Sequence, residues 1–90
     1  RDFSFGRYFN EIAAATLDGL ARARPPGQPL RVLEVGAGTG GTTTLLLQAL
    51  AGHTGVRYTF TDISAVFTRR AQARFAQHDF VDYREFDLQR

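Results

Sequence analysis

The chain has 90 residues, of which 43% are hydrophobic, and its formal net charge is only +2, carried by eleven arginines with no lysine. This composition provides for a packed core, whereas no apolar run approaches the roughly 18 residues that a membrane span needs, and no signal peptide pattern is present. The absence of cysteine excludes a disulfide scaffold or a thiolate metal site, and we expect an intracellular, cytoplasmic location.

The length fits a small domain or half of an α/β domain. The sequence begins at Arg1 without an initiator Met and stops at Arg90 shortly after a predicted strand. We therefore expect a fragment of a larger protein, with an N-terminal helical segment and Pro-rich breaker over residues 1–29. Residues 30–90 are then the first β-α-β-α-β half of a ligand-binding domain.

The first predicted element is a helix that ends before Pro25. Apolar residues between Ile12 and Ala21 recur at helical spacing, and Asn10 is a plausible N-cap. An aromatic cluster precedes it, and its rings either pack the helix onto the domain or form a lid over a ligand. The cluster comprises Phe3, Phe5, Tyr8 and Phe9.

A glycine-rich turn follows the first predicted strand. The apolar run over residues 30–35 predicts a buried parallel strand, and four glycines follow it within six positions. Residues 42–50 predict a helix whose first N–H groups face a ligand. Strand, glycine turn and helix in this order are typical of a nucleotide-type cofactor site. The turn contains Gly36, Ala37, Gly38, Gly40 and Gly41.

Two further strands complete an α-β-α-β-α-β order. Residues 56–61 predict the second strand, which ends at Asp62, and Ser64 is a plausible cap for a helix to about Gln77. Residues 80–86 predict a third strand at the margin of the sheet. Right-handed crossovers then give a Rossmann-like, doubly wound parallel sheet, present as about three strands with flanking helices.

Glu34 indicates which cofactor the turn binds. The spacing of Gly36, Gly38 and Gly41 satisfies the dinucleotide pattern G-x-G-x-x-G, in which a helix N-terminus holds a pyrophosphate. A carboxylate two residues before the first glycine repels a pyrophosphate in a poorly hydrated cleft. It attracts the sulfonium and ammonium groups of S-adenosylmethionine (SAM), and therefore the pattern favours SAM over NAD or FAD.

Two aspartates follow the next two predicted strands. Asp62 lies at the strand end where an acidic residue accepts hydrogen bonds from ribose hydroxyls, although it is also suited to capping the next turn. Asp87 has the matching position after the third strand, where it would accept a bond from the adenine amino group, with Leu88 packing near the base. From spacing alone, Asp87 is nearly as well explained as an ordinary loop residue.

The remaining polar residues predict no second site. His53 and His78 fall in predicted loops or helix ends without metal-ligand spacing, and we expect surface positions for both and no metal. The threonines around the glycines suit either helix capping or a contact to a ligand carboxylate. Five arginines on predicted helices favour a solvated face over a nucleic-acid surface. They are Arg22, Arg24, Arg69, Arg70 and Arg74.

The motifs together resemble those of the C-methyltransferase domains of type I polyketide synthases. Residues 33–43 (LEVGAGTGGTT) resemble motif I of that family, and residues 58–64 (YTFTDIS) are similar to its second strand. Residues 80–88 (FVDYREFDL) resemble the third strand, and residues 8–12 (YFNEI) resemble the helix before motif I. The resemblance covers nearly the whole chain and is more specific than a generic SAM loop.

The resemblance implies a class I methyltransferase fold in a megasynthase, with a seven-stranded sheet and helices on both faces. The substrate would be a β-ketoacyl chain on an acyl carrier protein, and other synthase domains, not nucleic acid or a membrane, would be the partners. A His/Glu pair in the family removes the α-proton, and neither His53 nor His78 matches it, so the catalytic pair is expected downstream. The implied cofactor contacts are the glycine turn with Glu34 for the methionine and sulfonium side, Asp62 with Ile63 for the ribose, and Asp87 with Leu88 for the adenine.

Two alternatives remain open at this stage. The first is a pseudo-methyltransferase, a structural remnant in a synthase that no longer binds SAM. The intact glycines, Glu34 and Asp62 disfavour that alternative, although loss of a downstream base would leave this segment unchanged. The second is one half of an NAD(P)-dependent oxidoreductase, which Glu34 disfavours.

Overall fold

The computed structural model describes residues 5–37 and 40–85, with side chains described from residue 10 onward. Three helices and three strands alternate along this part of the chain. They are α1 (Phe5–Ala23), β1 (Leu30–Glu34), α2 (Gly41–Leu50), β2 (Val56–Asp62), α3 (Ala65–Arg74) and β3 (Val81–Glu85). Within the described residues, none of the helices combines the length and apolar character needed to cross a bilayer.

The strands form one sheet in the order β1-β2-β3, and they are parallel, as the sequence predicts. Val32 is the register partner of Tyr58 on β2, and Tyr58 is in turn the partner of Val81 on β3. Each crossover contains a helix, which is the connection that parallel strands require. All three strands therefore end at the same edge of the sheet, where β1 finishes at Glu34 and β2 at Asp62.

The core lies on one face of this sheet. Alternate residues of β2 are fully or nearly fully buried there, and apolar residues from all three helices pack against them. The buried cluster comprises Ala21, Leu46, Leu47, Leu50, Val56, Tyr58, Phe60, Ala71, Phe75 and Val81.

The opposite face of the sheet corrects one expectation. Residues 30–34 of the apolar run form a parallel strand, but it is not a buried one, since Leu33 and the following Val35 are each 61% exposed. The described helices all contribute to the core on the other face, so no described element covers these two side chains. Hydrophobicity alone predicts a strand that is suited to burial, but it does not specify what covers the strand.

Helix α1 begins earlier than its sequence predicts. Asn10 lies inside the helix rather than at its N-cap, because the helix already starts at Phe5. Its buried face agrees with the predicted one at Leu17 and Ala21 but not at Ile12 and Leu20, which are exposed. The residues that pack on the core lie along one stripe, as in an ordinary amphipathic helix. They are Ala13, Ala14, Leu17 and Ala21.

Helix α3 is shorter than predicted and is capped differently. It ends at Arg74 rather than near Gln77, with Phe75 at the C-cap. Ser64 occupies the N-cap position, as predicted, but its side chain makes no capping hydrogen bond. Among the apolar residues of this segment, Phe75 is buried, whereas Ile63 precedes the helix and is 60% exposed.

Candidate cofactor site

The turn after β1 has the backbone that its glycines predict. Gly36 has a φ of 66°, in the left-handed region that favours glycine, and among the described residues, apart from its chain neighbours, no atom lies within 4 Å of the Cβ that another residue would carry there. The Ala37 N–H donates to the Thr61 carbonyl (3.0 Å), which ties the turn to the end of β2. The turn therefore runs along the carboxyl edge of the sheet and leaves open space beside Gly36. Gly38 lies outside the described residues.

Gly40 ends the turn in a second left-handed conformation. Its φ is 87°, and a Cβ at this position would lie 3.1 Å from the ring of Phe75, which is itself buried in the core. Both the backbone angle and the close approach of the ring require glycine here. Gly40 is the N-cap of α2, so the turn leads directly into the helix.

The first turn of α2 presents backbone donors without a side-chain cap. The Thr44 N–H donates to the Gly40 carbonyl (3.0 Å) as the first helical bond, and the three N–H groups before it precede that ladder. Helix capping, one of the two roles that the sequence suggests for the threonines, is not performed by the three described hydroxyls, which donate elsewhere. Their acceptors are Asn10 Oδ1 for Thr42, Glu34 Oε1 for Thr43 and the Gly40 carbonyl for Thr44.

Glu34 lies at the carboxyl end of β1 and is half-buried. One of its carboxylate oxygens, Oε1, accepts two hydrogen bonds, from the Thr43 hydroxyl and from the Tyr58 hydroxyl, each at 2.5 Å. Its backbone carbonyl accepts a third from the Thr61 hydroxyl. Elements on both sides thus hold this residue in place, with α2 and β2 contributing the donors.

Tyr58 is fully buried on β2, which affects its ionisation. Burial, and then the hydrogen bond and charge of Glu34, raise the pKa of the Tyr58 hydroxyl far above its usual range. The phenol is therefore protonated at every physiological pH and donates to the carboxylate. This pairing satisfies a polar group that would otherwise be costly inside the core.

Asp62 terminates β2 at the same edge and is only 6% exposed. Its Oδ1 accepts a hydrogen bond from the Ser64 N–H (2.9 Å), so it does hold the turn into α3, as one of the two predicted roles requires. That bond occupies one oxygen and is compatible with a second role toward a ligand. Ile63 follows it on the surface, whereas Asp87 and Leu88 lie outside the described residues.

Both histidines lie away from this edge. His53 is in the loop that leads into β2, and its Nε2 lies 2.8 Å from Asp18 Oδ1 on α1. His78 precedes β3 and packs edge-on against Phe80, with ring centroids 5.6 Å apart. Both are partly exposed, and each contacts another side chain. The part of the chain that the structure describes contains no cluster of three metal-ligating side chains.

Two surface pockets lie elsewhere on the molecule. One, of about 340 Å³, is formed by the Pro25–Pro29 segment with Arg24 and the loop before β2, at the amino end of the sheet. The other, of about 270 Å³, lies between α2 and the end of α3. The residues that line these two pockets do not include the glycine turn, Glu34 or Asp62.

Sequence reasoning missed Tyr58, and it missed the hydrogen bond from Thr43 to Glu34. The available signal was the alternation along β1, which puts Leu30, Val32 and Glu34 on one face. A carboxylate on a core-facing strand position needs hydrogen-bond donors from neighbouring elements. A tyrosine on the adjacent strand and a threonine on the next helix were the candidates to supply them.

The comparison with known proteins identifies the class to which this fold and site belong. Residues 33–90 match the model of a family described as a methyltransferase domain, which is more than half of the chain. The chain therefore belongs to this methyltransferase family, and not to the NAD(P)-dependent oxidoreductases. Its three parallel strands and flanking helices are part of a class I methyltransferase, Rossmann-like fold.

The relatives in sequence narrow the class further, because they are polyketide synthases. The non-reducing polyketide synthase ausA of Penicillium brasilianum is 42% identical over 79 residues, covering 86% of this chain and 3% of that protein. The highly reducing polyketide synthase lcsB of Purpureocillium lilacinum is 51% identical over 63 residues, covering 66% of this chain and 2% of that protein. The chain thus spans only a few percent of the length of these relatives.

Solved structures of methyltransferases match the chain as well. The CurJ carbon methyltransferase matches with a TM-score of 0.79 and 40% identity, over 87% of this chain and 20% of that one. The CMeT domain of the citrinin polyketide synthase matches with 0.80 and 38%, over 88% and 21%. The trans-methyltransferase CalH, solved in complex with SAH, matches with 0.67 and 37%, over 88% and 24%. The chain corresponds to about a fifth to a quarter of each of these chains.

Proposed function

We propose that this chain forms the SAM-binding portion of a polyketide synthase C-methyltransferase. The full enzyme would methylate the α-carbon of a β-ketoacyl chain held by an acyl carrier protein. The observation that carries the proposal is the Glu34 carboxylate, held at the end of β1 beside a left-handed glycine turn, with Asp62 at the end of β2. Methyltransferases that act on other atoms share this kind of cofactor site. The choice of carbon as the acceptor therefore rests on the similarity to synthase domains.

The residues present fit the cofactor. A sulfonium and an ammonium are cations, so they are stabilised beside Glu34, and backbone N–H groups at the start of α2 suit the methionine carboxylate. The open space beside Gly36 admits a ligand close to the backbone. Asp62 would accept bonds from the ribose hydroxyls, while Gly38, Asp87 and Leu88 remain candidate contacts outside the described residues.

This chain would bind and orient the cofactor without performing proton abstraction. When bound, SAM supplies an electrophilic methyl group. His53 and His78 both lie at the amino ends of strands, opposite the candidate cofactor site, so neither is proposed as the base that removes the α-proton. Catalysis would then depend on the remaining domain positioning the substrate carbon, which is where much of the rate of a two-substrate reaction originates.

The experiment that tests this function uses the complete polypeptide that carries these residues. Its melting temperature is measured with SAM, with NAD and without ligand, and we expect SAM alone to raise it. A ligand at 100 times its Kd that binds only the native state stabilises it by about 2.7 kcal/mol. A response to NAD instead, or to neither compound, would overturn the assignment, and the second result would favour a non-binding structural remnant.

The substitution Glu34→Gln tests the electrostatic part of the proposal. It preserves the shape of the side chain and removes the negative charge, so SAM affinity is expected to fall about tenfold or more. Asp82→Asn is the matched control, because Asp82 lies on β3 and pairs with Arg57, away from the turn. Isothermal titration calorimetry measures both, and equal affinities for the two variants would contradict the role of Glu34.

The 90 residues taken alone are expected to bind SAM weakly and not to transfer methyl groups. The exposed apolar side chains of Leu33 and Val35 and an uncovered sheet face make such a piece marginally stable. Calorimetric titration and a methyl-transfer assay on the isolated piece test this expectation. Turnover without additional chain would contradict it.

A further inference from the structure

We infer that Tyr58 and Thr43 are positioning residues of the cofactor site, which act by holding the Glu34 carboxylate in one orientation. The inference rests on the proposed function and extends it to two buried residues that would not touch the cofactor. Both side chains are fully buried, at 0% exposure, and they come from different elements, β2 and α2.

The geometry singles out one of the two carboxylate oxygens. The Tyr58 and Thr43 hydroxyls both donate to Oε1, each at 2.5 Å, and Oε2 accepts neither of these bonds. Two donors on one oxygen restrict rotation of the carboxylate, because turning it would break both bonds. Oε2 therefore retains its acceptor capacity for a cation at the end of β1.

The strength of these contacts follows from their charge and burial. Hydrogen bonds to an ionised carboxylate are shorter and stronger than those between neutral groups. Tyr58 is protonated because of its burial and its acidic neighbour, so it serves as a permanent donor. A long, flexible glutamate at the edge of a sheet would otherwise lose side-chain entropy when it binds a ligand. Holding the carboxylate in advance removes part of that cost.

The alternative is that Glu34 only satisfies two buried hydroxyls and has no role in binding. The two explanations differ in how the substitutions combine. If the hydroxyls act through the Glu34 carboxylate, their removal weakens SAM binding in the native protein but has little further effect after Glu34→Gln. If they support only the fold, their effects on SAM affinity are small or add to that of Glu34→Gln.

The test is a double-mutant cycle in the complete polypeptide, with SAM affinity measured by calorimetry. Tyr58→Phe and Thr43→Val each remove a hydroxyl with little change in shape, and Thr43→Ser restores it. Tyr83→Phe is the matched control, because the Tyr83 hydroxyl is buried and has no hydrogen-bond partner among the described residues. The unfolding midpoint of every variant is measured in parallel, so that loss of folded protein is separated from loss of affinity.

We expect Tyr58→Phe and Thr43→Val each to weaken SAM binding about fivefold to tenfold, up to about 1.4 kcal/mol. We expect Thr43→Ser and Tyr83→Phe to stay within twofold of the native protein, and Tyr58→Phe to change affinity less than twofold in the Glu34→Gln background. In steady state, the KM for SAM rises in Tyr58→Phe while kcat is retained.

Three outcomes separate the inference from the function on which it rests. If the native protein does not bind SAM, the proposed function fails and the inference with it. If Glu34→Gln weakens binding but Tyr58→Phe and Thr43→Val do not, the function stands and the inference is overturned. Additive losses in the cycle overturn the inference as well, since they indicate a structural role alone.

Discussion

At the amino end of the sheet, side chains bond to one another and to loop carbonyls, whereas the carboxyl end combines left-handed glycines with a half-buried and a buried acidic residue. Arg24 donates to four carbonyls at the amino end, and His53 pairs there with Asp18. At the carboxyl end, Gly36 and Gly40 have positive φ, and α2 begins without a side-chain cap.

The difference has a physical meaning. The polar groups at the amino end are supplied with partners from the chain itself, so they contribute to stability and need no ligand. The carboxyl end keeps backbone donors and carboxylates at a surface where binding partners are expected. The negative charge at that end is a cost that a bound cation would offset. We therefore expect substitutions at the two ends to have different effects on folding and on binding.

The largest expected effect comes from Gly40→Ala at the carboxyl end. Alanine is strained at a φ of 87°, and its Cβ would lie 3.1 Å from the buried Phe75 ring. Together these changes are expected to lower the free energy of unfolding by about 2–4 kcal/mol. Urea denaturation of the complete polypeptide measures the change.

The adjacent glycine supplies the control for that measurement. Gly41 lies in the first turn of α2, has no positive φ, and has no atom within 4 Å of an added Cβ. Gly41→Ala is expected to be neutral or to stabilise by about 0.5–1 kcal/mol, because it reduces the freedom of the unfolded chain. Equal destabilisation by both substitutions would indicate that the turn does not have the backbone described here.

At the amino end, Arg24→Met has the next largest expected effect. The guanidinium bonds the carbonyls of Ala21, Gln28, Thr54 and Gly55, and it thereby joins the end of α1 to the loops before β1 and β2. Loss of these charge-assisted bonds is expected to cost about 2 kcal/mol of stability, with SAM affinity unchanged.

Arg22→Met is the matched control for that change. Arg22 makes an exposed i,i+4 pair with Asp18, and such pairs contribute a few tenths of a kcal/mol. Thermal unfolding and calorimetry on both variants test the separation of the two ends. A large loss of SAM affinity in fully folded Arg24→Met would contradict the separate roles of the two ends.

Much of the fold was predictable because its signals are local. The apolar run followed by glycines predicts β1 and its turn, and the positive φ of Gly36 and Gly40 agrees with the expected role of these residues. The parallel order of the three strands follows from the alternation of helices and strands, and the structure confirms it. The position of Asp62 at the end of β2 is likewise a local result.

The errors arise where the outcome depends on distant parts of the chain. Asn10 has a strong cap preference, but the helix begins five residues earlier, and its side chain instead contacts Thr42, 32 positions away. Tyr58 reaches Glu34 across 24 positions, and the alternation along β1 indicates that Glu34 needs a donor but does not specify which residue supplies it. The exposure of Leu33 depends on which elements cover the sheet, a property that a strand pattern does not contain.

Asp62→Asn is expected to weaken SAM binding with little change in stability. Asp62→Asn keeps an oxygen that accepts the Ser64 N–H bond, so the turn is expected to survive with a stability change of about 1 kcal/mol or less. It removes the charge that would strengthen bonds from ribose hydroxyls, and SAM affinity is expected to fall about tenfold. Calorimetry measures the affinity, and an unchanged value would remove Asp62 from the proposed site.

The smallest expected effect concerns the pH dependence of the amino end. The hydrogen bond from His53, and then that from Arg22, hold the pKa of Asp18 below its ordinary value of 3.8. Because the folded-state pKa is the lower one, the stability from this carboxylate is complete above pH 3.8 and is lost as the pH falls through the folded pKa. Asp18→Asn is expected to remove that part of the acid sensitivity, so that the urea midpoints of native and variant proteins converge as the pH is lowered below 3.8. Asp82→Asn is the control, because Asp82 pairs with Arg57 on the uncovered face of the sheet. A constant difference between Asp18→Asn and the native protein over the acidic range would mean that the Asp18 carboxylate does not stabilise the amino end through its charge.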